Sequence, residues 1–186
     1  ANHAIPSVDI DHEGAAYDAV KHLIDHGHRK IGMISGNLQD PSSGLARYKG
    51  YRRALEEAGI EFSEPLVRMG NYRYESGVDL MKYFLELEDR PTAIFTATDE
   101  MAIGAIHAIQ DQGLRVPEDI SIISVNNAPM ASMVRPQLTT VAQPMYDIGA
   151  VSMRLLTKLM KKEPVTDTVV VLPHELITRK SVAHTS

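Results

Sequence analysis

Short apolar segments alternate with amphipathic segments along most of the chain, and this alternation is what most limits the fold. The apolar runs include 30–35, 92–97 and 119–125, while 45–59 and 99–113 show helical spacing and end at a glycine. Strands that are apolar throughout, rather than on alternate residues, are typical of a parallel sheet covered on both faces. We therefore predict an α/β fold in which a parallel sheet carries helices on both faces.

The remaining segments fit the same scheme. Helical spacing predicts further helices over 13–27, 75–87 and 144–160, and Asp99 is predicted to cap the helix that starts there. Shorter apolar runs predict further strands, namely SVDI at 7–10, LVRMG at 66–70, LTTVAQ at 138–143 and one or two closing strands within 168–181.

The composition fits one medium domain or two small lobes and argues against several classes of protein. The 186 residues are 44% hydrophobic and 23% charged, which is enough apolar content for a core. A formal charge of −5, from 19 basic and 24 acidic residues, argues against a direct grip on nucleic-acid phosphates. The chain has no cysteine for a disulfide framework and no apolar run that would span a bilayer. We expect a cytoplasmic protein with no membrane partner.

Candidate metal and catalytic motifs are incomplete. His22, His26 and His28 invite a metal site, since His22 and His26 lie one helical turn apart, but no second ligand cluster accompanies them, which favours solvated histidines at a helix end. Ser35 precedes Gly36 without the G-x-S-x-G pattern of a nucleophile elbow, and neither a phosphate loop nor a dinucleotide fingerprint appears. We expect no metal, no cofactor and no catalytic residues, and hence a protein that is not an enzyme.

Polar side chains follow four consecutive predicted strands at the point where each strand ends. Ligands of parallel α/β sheets sit beyond these carboxyl ends. Amides, hydroxyls, an aromatic ring and an arginine suit a hydroxyl-rich or anionic small molecule. Turn and cap preferences explain each single position better, but the set at four strand ends favours a binding edge. The candidate residues are Asn37, Tyr72, Thr98, Asp99, Asn126 and Asn127, with Arg47 from the start of the nearby helix.

The predicted helix in QPMYDIGAVSMRLLTKLM, residues 143–160, carries two stripes. One stripe has the spacing of a buried face and consists of Ile148, Ser152, Leu155 and Leu159. The other is turned by about 100° and consists of Asp147, Val151, Arg154 and Lys158. From the residues alone, the two bases fit a solvated face, and the acid fits the preference for negative charge at a helix start.

Several segments together resemble the lactose-repressor family of bacterial transcription regulators. The segments are LIDHGHRKIGMISG (23–36), RYKGYRRALEEAGI (47–60), PTAIFTATDEMAIGAI (91–106), VPEDISIISVNN (116–127) and RPQLTTVAQPMYDIGAVSMRLLTKL (135–159). The resemblance implies the periplasmic-binding-protein type 1 fold, with two α/β lobes around a small-molecule cleft and a helix-turn-helix headpiece ahead of them. It also implies that the effector cleft is lined by Arg47, Tyr72, Thr98 and Asn126.

The same resemblance implies a division of the chain, which would be mostly the C-terminal lobe. The expected parts are the end of the N-terminal lobe (1–11), the C-terminal effector-binding lobe (12–143), a helix returning to the N-terminal lobe (144–162) and the end of the C-terminal lobe (163–186). The DNA-binding headpiece is expected to lie outside this stretch, so operator DNA would be bound only through that headpiece. Family membership further implies a homodimer.

Within the family, the helix segment resembles the carbon catabolite regulators, in which this helix docks the serine-phosphorylated phosphocarrier protein HPr. The matching positions are Met145, Tyr146, Asp147, Val151, Arg154, Thr157 and Lys158. Asn126 stands where many members have aspartate, which favours a phosphorylated or a weakly bound effector over a tightly bound neutral sugar. The function implied is the effector- and corepressor-binding core of a carbon catabolite repressor. The alternatives are a transporter's sugar-binding protein and a sibling sugar-specific repressor that does not use HPr.

Overall fold

The computed structural model describes residues 6–165 and 169–185, which form a six-stranded sheet, a two-stranded sheet and their helices. The helices are α1 (His12–Asp25), α2 (Gly44–Glu57), α3 (Tyr74–Glu86), α4 (Asp99–Asp111), α5 (Met130–Met133) and α6 (Met145–Met160). The strands are β1 (Ser7–Ile10), β2 (Ile31–Ser35), β3 (Val67–Met69), β4 (Ala93–Thr96), β5 (Ser121–Asn126), β6 (Thr139–Ala142), β7 (Val169–Leu172) and β8 (Glu175–Ile177). A short 3₁₀ turn, Glu64–Leu66, precedes β3.

The larger sheet has the strand order β3-β2-β4-β5-β6-β8. Its first five strands are mutually parallel, and only β8, at one edge, runs antiparallel to its neighbour β6. The carboxyl ends of β2, β3, β4, β5 and β6 therefore meet at one edge of the sheet, as the alternation of strands and helices predicted.

Helices cover both faces of the larger sheet. Met33 and Phe95 point to the face packed by α1 and α2, whereas Ile34 and Ile94 point to the face packed by α3, α4 and α5. All four of these side chains are fully buried, and burying each contributes about 1.5–3 kcal/mol to folding. The predicted α/β architecture with a doubly covered parallel sheet is confirmed.

The smaller sheet consists of β1 and β7, which pair in parallel from Ser7 with Val169 to Ile10 with Leu172. Of the two predicted closing strands, β7 thus lies in the small sheet and only β8 joins the large one. Residues 1–5, 166–168 and 186, which belong to the first and last parts of the predicted division into lobes, lie outside the described residues. The boundaries of that division stay a prediction.

Helix α6 contacts β1 and has no buried residue. Its half-buried positions are Ile148, Val151, Leu155 and Lys158. The predicted buried face is therefore wrong at Ser152 and Leu159, which are exposed. The helix packs along one narrow line, and helical spacing alone does not tell which of two adjacent stripes faces the partner strand.

Candidate functional site

The polar edge of the large sheet begins with the loops after β2 and β3, where Asn37 and Tyr72 meet. The backbone N–H of Asn37 donates to the Tyr72 hydroxyl at 3.0 Å. A side chain at position 36 would collide with the Tyr72 ring, so Gly36 is what lets the ring lie against this loop. Tyr72 itself has a φ of 68°, a backbone conformation that non-glycine residues rarely adopt outside turns and functional sites.

Arg47, on the first turns of α2, lies buried behind this edge with only 4% of its surface exposed. Its guanidinium donates to the carbonyl oxygen of Ala97 at 2.8 Å and to Nδ1 of His12 at 3.3 Å. Its buried Nε has no hydrogen-bond partner within the described part of the chain. Burial lowers the pKa of Arg47, yet guanidinium stays protonated in proteins. The result is a buried positive charge held by neutral groups.

Thr98 and Asp99 follow β4, and the helix cap lies one residue earlier than predicted. Thr98 is the N-cap of α4, since its hydroxyl accepts from the backbone N–H of Met101. The prediction that Asp99 caps this helix is wrong, because Asp99 is 1% exposed and its carboxylate points into the protein. It accepts from the Ser124 hydroxyl at 2.5 Å, from the Thr140 hydroxyl at 2.7 Å and from the backbone N–H of Ala128 at 2.5 Å.

Asn126 and Asn127 end β5 with φ angles of 130° and 57°, in a region where asparagine is one of the few tolerated residues. The side-chain oxygen of Asn126 accepts from Nε2 of Gln143 at 2.7 Å. The side-chain oxygen of Asn127 accepts from Arg179 at 2.6 Å. Asn127 is therefore engaged by a residue that reaches it from beyond β8, whereas Asn126 and Gln143 extend the polar edge along β5 and β6.

The four predicted effector residues Arg47, Tyr72, Thr98 and Asn126 thus all lie where parallel strands of one sheet end, but their assignment to effector binding stays a prediction. Sequence reasoning missed His12, Gln143 and Arg179. Gln143 directly follows β6, so the strand-end rule would have found it. The contacts of His12 with Arg47 and of Arg179 with Asn127 span 35 and 52 residues, so the neighbouring sequence does not indicate them.

The candidate partner surface on α6 is largely open. Met145 is 64% and Tyr146 is 87% exposed, and Asp147, Arg154 and Thr157 are exposed as well. Val151 and Lys158 instead belong to the half-buried line beside β1. A partner that reached all seven predicted residues would therefore contact the exposed stripe and only the outer part of Val151 and Lys158.

Residues 6–165 and 169–185 give little support for a metal site or a membrane span. His22 packs against His26, which stacks on His184, with ring centroids 4.2 Å apart in each pair. The prediction of solvated histidines is wrong at His28, which is 3% exposed because its ring is held between the Thr92 hydroxyl and the carbonyl oxygen of Ala183. No group of three or more histidine, cysteine, aspartate or glutamate side chains in that part of the chain is arranged to hold a metal ion. None of the described helices combines the length and apolar character that a bilayer span needs.

Comparison with known proteins gives one consistent result. Residues 20–182 match the family of periplasmic binding protein-like domains. Catabolite control protein A of Priestia megaterium is 52% identical over 177 residues, which is 95% of this chain and 53% of that protein. The crystal structure of the transcription regulator CcpA of Lactococcus lactis superposes with a TM-score of 0.90 at 48% identity, covering 95% of this chain and 64% of that one.

A second solved structure, a complex of the transcriptional regulator CelR with cellobiose, also superposes with a TM-score of 0.90. The two sequences are 35% identical, and the match covers 97% of this chain and 55% of the CelR chain. The chain thus spans about half the length of the curated relatives that it matches.

Proposed function

Because the chain belongs to the family of periplasmic-binding-protein-like domains, in the form found in lactose-repressor-type regulators, we propose that it is the effector- and corepressor-binding core of a carbon catabolite transcription regulator. In this proposal a sugar phosphate binds at the polar edge of the large sheet, and serine-phosphorylated HPr binds to α6. Both bias the arrangement of a homodimer whose headpieces, outside this stretch, bind operator DNA. The protein acts by binding and not as an enzyme.

The observation that carries the effector half of the proposal is the charge of Arg47. A buried charge without an ionic partner is costly, and an anion placed beside it offsets that cost. Arg47 has only a carbonyl and an imidazole as partners in the described residues. Tyr72 and Asn126 supply an aromatic face and an amide at the same edge, which are groups that recognise a sugar ring.

The exposed stripe of α6 supports the partner half. A phosphoserine carries about −1.5 to −2 charges and three strong acceptor oxygens, for which arginine is the preferred receptor. Arg154 is exposed, and Lys158 follows one turn later on the same side. Met145 and Tyr146 are large, exposed and apolar or aromatic, which is the composition of anchors at protein interfaces.

Surface plasmon resonance with the complete protein tests the partner half. We expect serine-phosphorylated HPr to bind and unphosphorylated HPr to bind at least about tenfold more weakly. Arg154→Glu should remove most of this preference, because it replaces an attractive charge with one that repels the phosphate. Arg90→Glu changes another exposed arginine, far from α6 in the chain, and serves as the matched control. Equal binding of both forms of HPr would contradict the docking proposal.

Isothermal titration calorimetry tests the effector half. Glucose 6-phosphate and glucose are suitable probes, since they differ only in the anionic group. The complete protein should prefer the phosphate ester, and Arg47→Gln should reduce that preference while glucose binding changes little. Equal affinities for the two sugars in the unaltered protein would contradict the assignment of Arg47 to an anion.

A sibling repressor that binds a neutral sugar and does not use HPr is the second candidate. The similarity to CelR, solved with cellobiose, favours it, as does the Asn126–Gln143 pair, which offers amide groups rather than charges. Tight binding of a neutral sugar together with equal affinity for the two forms of HPr would select this candidate. The third possibility is a transporter's sugar-binding protein. In that case the complete protein would bind sugar but would have no effect on operator DNA.

A further inference from the structure

Three side chains from separate elements form a hydrogen-bonded row behind the polar edge. Nε2 of His12, at the start of α1, lies 3.0 Å from a carboxylate oxygen of Asp9 on β1. Nδ1 of the same ring lies 3.3 Å from the guanidinium of Arg47 on α2. The side chain of His12 is 12% exposed, whereas that of Asp9 is 49% exposed. The row thus runs from the buried arginine outward to a carboxylate of the small sheet.

The chemistry of arginine settles which nitrogen of His12 carries the proton. A guanidinium has donors only, so Nδ1 must be the acceptor and therefore unprotonated. Nε2 then carries the hydrogen and donates to Asp9. The neutral ring in this tautomer orients Arg47, whereas a proton on Nδ1 would point a donor at a donor and set two cations side by side.

We propose that His12 is a positioning residue for Arg47 and takes up a proton when an anionic group binds to Arg47. This inference rests on the proposed sensing of sugar phosphates. An anion on Arg47 brings negative charge beside the imidazole and gives Nδ1–H an acceptor. The repulsion that keeps the ring neutral in the free protein is then offset. The proton comes from solvent, so binding of each anion is accompanied by net proton uptake.

The charged groups around His12 are consistent with this behaviour. Burial and then the charge of Arg47 lower the pKa of His12 from its ordinary value, while Asp9 and, more weakly, Asp40 act in the opposite direction. The free protein therefore holds His12 neutral at neutral pH. An anion at Arg47 raises that pKa, so the affinity for the anion must rise as the pH falls toward the pKa of the complex.

Calorimetry with glucose 6-sulfate separates this effect from titration of the ligand, because a sulfate ester stays fully ionised over the range used. Binding to the complete protein would be measured at about pH 8 and about pH 6, in buffers of different ionisation enthalpy that report proton uptake directly. We expect a several-fold higher affinity at the lower pH and uptake of a fraction of one proton per ligand.

Two substitutions of His12 test whether this side chain is the group that takes up the proton. His12→Gln keeps an acceptor for Arg47 and a donor for Asp9 but does not titrate, so it should bind at the higher pH within about threefold of the unaltered protein and lose the pH dependence. His12→Leu lacks the acceptor and should bind more weakly at every pH. His184→Gln, at a histidine that contacts His26 instead, is the matched control and should keep the pH dependence. Unchanged proton uptake in His12→Gln would overturn the proposal.

A measurement without ligand separates this inference from the proposed function. NMR titration of the histidine rings should give a higher pKa for His12 in Arg47→Gln than in the unaltered protein, because the neighbouring positive charge is gone. An unchanged pKa would overturn the coupling of His12 to Arg47. If that coupling is observed but neither anionic sugar binds, the proposed sensing of sugar phosphates fails, and proton uptake on binding fails with it.

Discussion

The carboxylate of Asp99 accepts a hydrogen bond from the backbone N–H of Ala128, and this contact joins the start of α4 to the loop after β5. Its other oxygen accepts from the hydroxyls of Ser124 on β5 and Thr140 on β6. One buried side chain therefore ties together three consecutive strand ends. The left-handed backbone of Asn126 and Asn127, which lie between two of these contacts, is held in place by it.

Asp99→Asn should destabilise the protein by about 1–3 kcal/mol at neutral pH, because an amide cannot accept from all three donors. With its oxygen toward the N–H of Ala128, the amide turns its NH₂ group toward the hydroxyls of Ser124 and Thr140, which must then accept instead of donate, and the charge-assisted bonds are lost. Urea unfolding followed by circular dichroism measures the loss. Asp111→Asn, at an exposed position near the end of the same helix, should change the free energy of unfolding by less than about 0.5 kcal/mol.

The contribution of Asp99 should also depend on pH. Burial raises its pKa above the ordinary value of 3.8, against the opposing effect of its hydrogen bonds. Between the unfolded and the folded pKa the folded state binds more protons, so the stability due to this group falls as the pH rises. The free energy of unfolding of the unaltered protein minus that of Asp99→Asn should therefore decrease from about pH 4 upward. An increase over that range would show that its hydrogen bonds outweigh burial.

The substitutions Gly77→Ala and Gly149→Ala should change the free energy of unfolding in opposite directions. A methyl group at Gly77 would meet the backbone carbonyl oxygen of Met101, so Gly77→Ala should push α3 away from α4 and cost about 1–3 kcal/mol. A methyl group at Gly149 meets nothing within 4 Å, and Gly149→Ala should stabilise α6 by up to about 1 kcal/mol. Thermal unfolding of both variants checks the pair. A destabilising Gly149→Ala would mean that α6 is packed differently.

Ser181 fixes the chain after β8 to the large sheet. Its buried hydroxyl donates to the carbonyl oxygen of Ile122 at 2.6 Å and accepts from the backbone N–H of Thr139 at 2.8 Å. Ser181→Ala leaves both backbone groups buried without these partners and should cost about 1–3 kcal/mol. Ser132→Ala removes an exposed hydroxyl that donates to Pro129 and should be nearly neutral. Chemical denaturation of the two variants compares them directly.

The sequence predicted the architecture well because the hydrophobic pattern is a local signal. The apolar runs at 30–35 and 92–97 became β2 and β4 with shifts of one residue at each end or fewer. The same runs revealed the polar edge, because parallel strands place their carboxyl ends together. Pairing with the small sheet was not visible in this pattern, since β7 has the same apolar composition as a strand of the large sheet.

Roles that depend on distant partners were predicted less well. Asp99 has the local signature of a helix cap, and only its partners on β5 and β6 show it to be a buried anchor. The family resemblance implies that Arg47 lines the cleft, but nothing in the sequence near it points to His12. On α6, the stripe assigned to a partner and the line packed on β1 share Val151 and Lys158, because helical spacing does not say which side a neighbour occupies.

Within residues 6–165 and 169–185 the chain passes between the two sheets three times, at 10–12, 142–145 and 172–175. The second and third passages border one depression, and His174 in the third is bonded to Asp18 of α1, just after the first. We expect any relative movement of the two sheets to be a bend at these three connections, because short connections cannot lengthen enough to allow the sheets to separate.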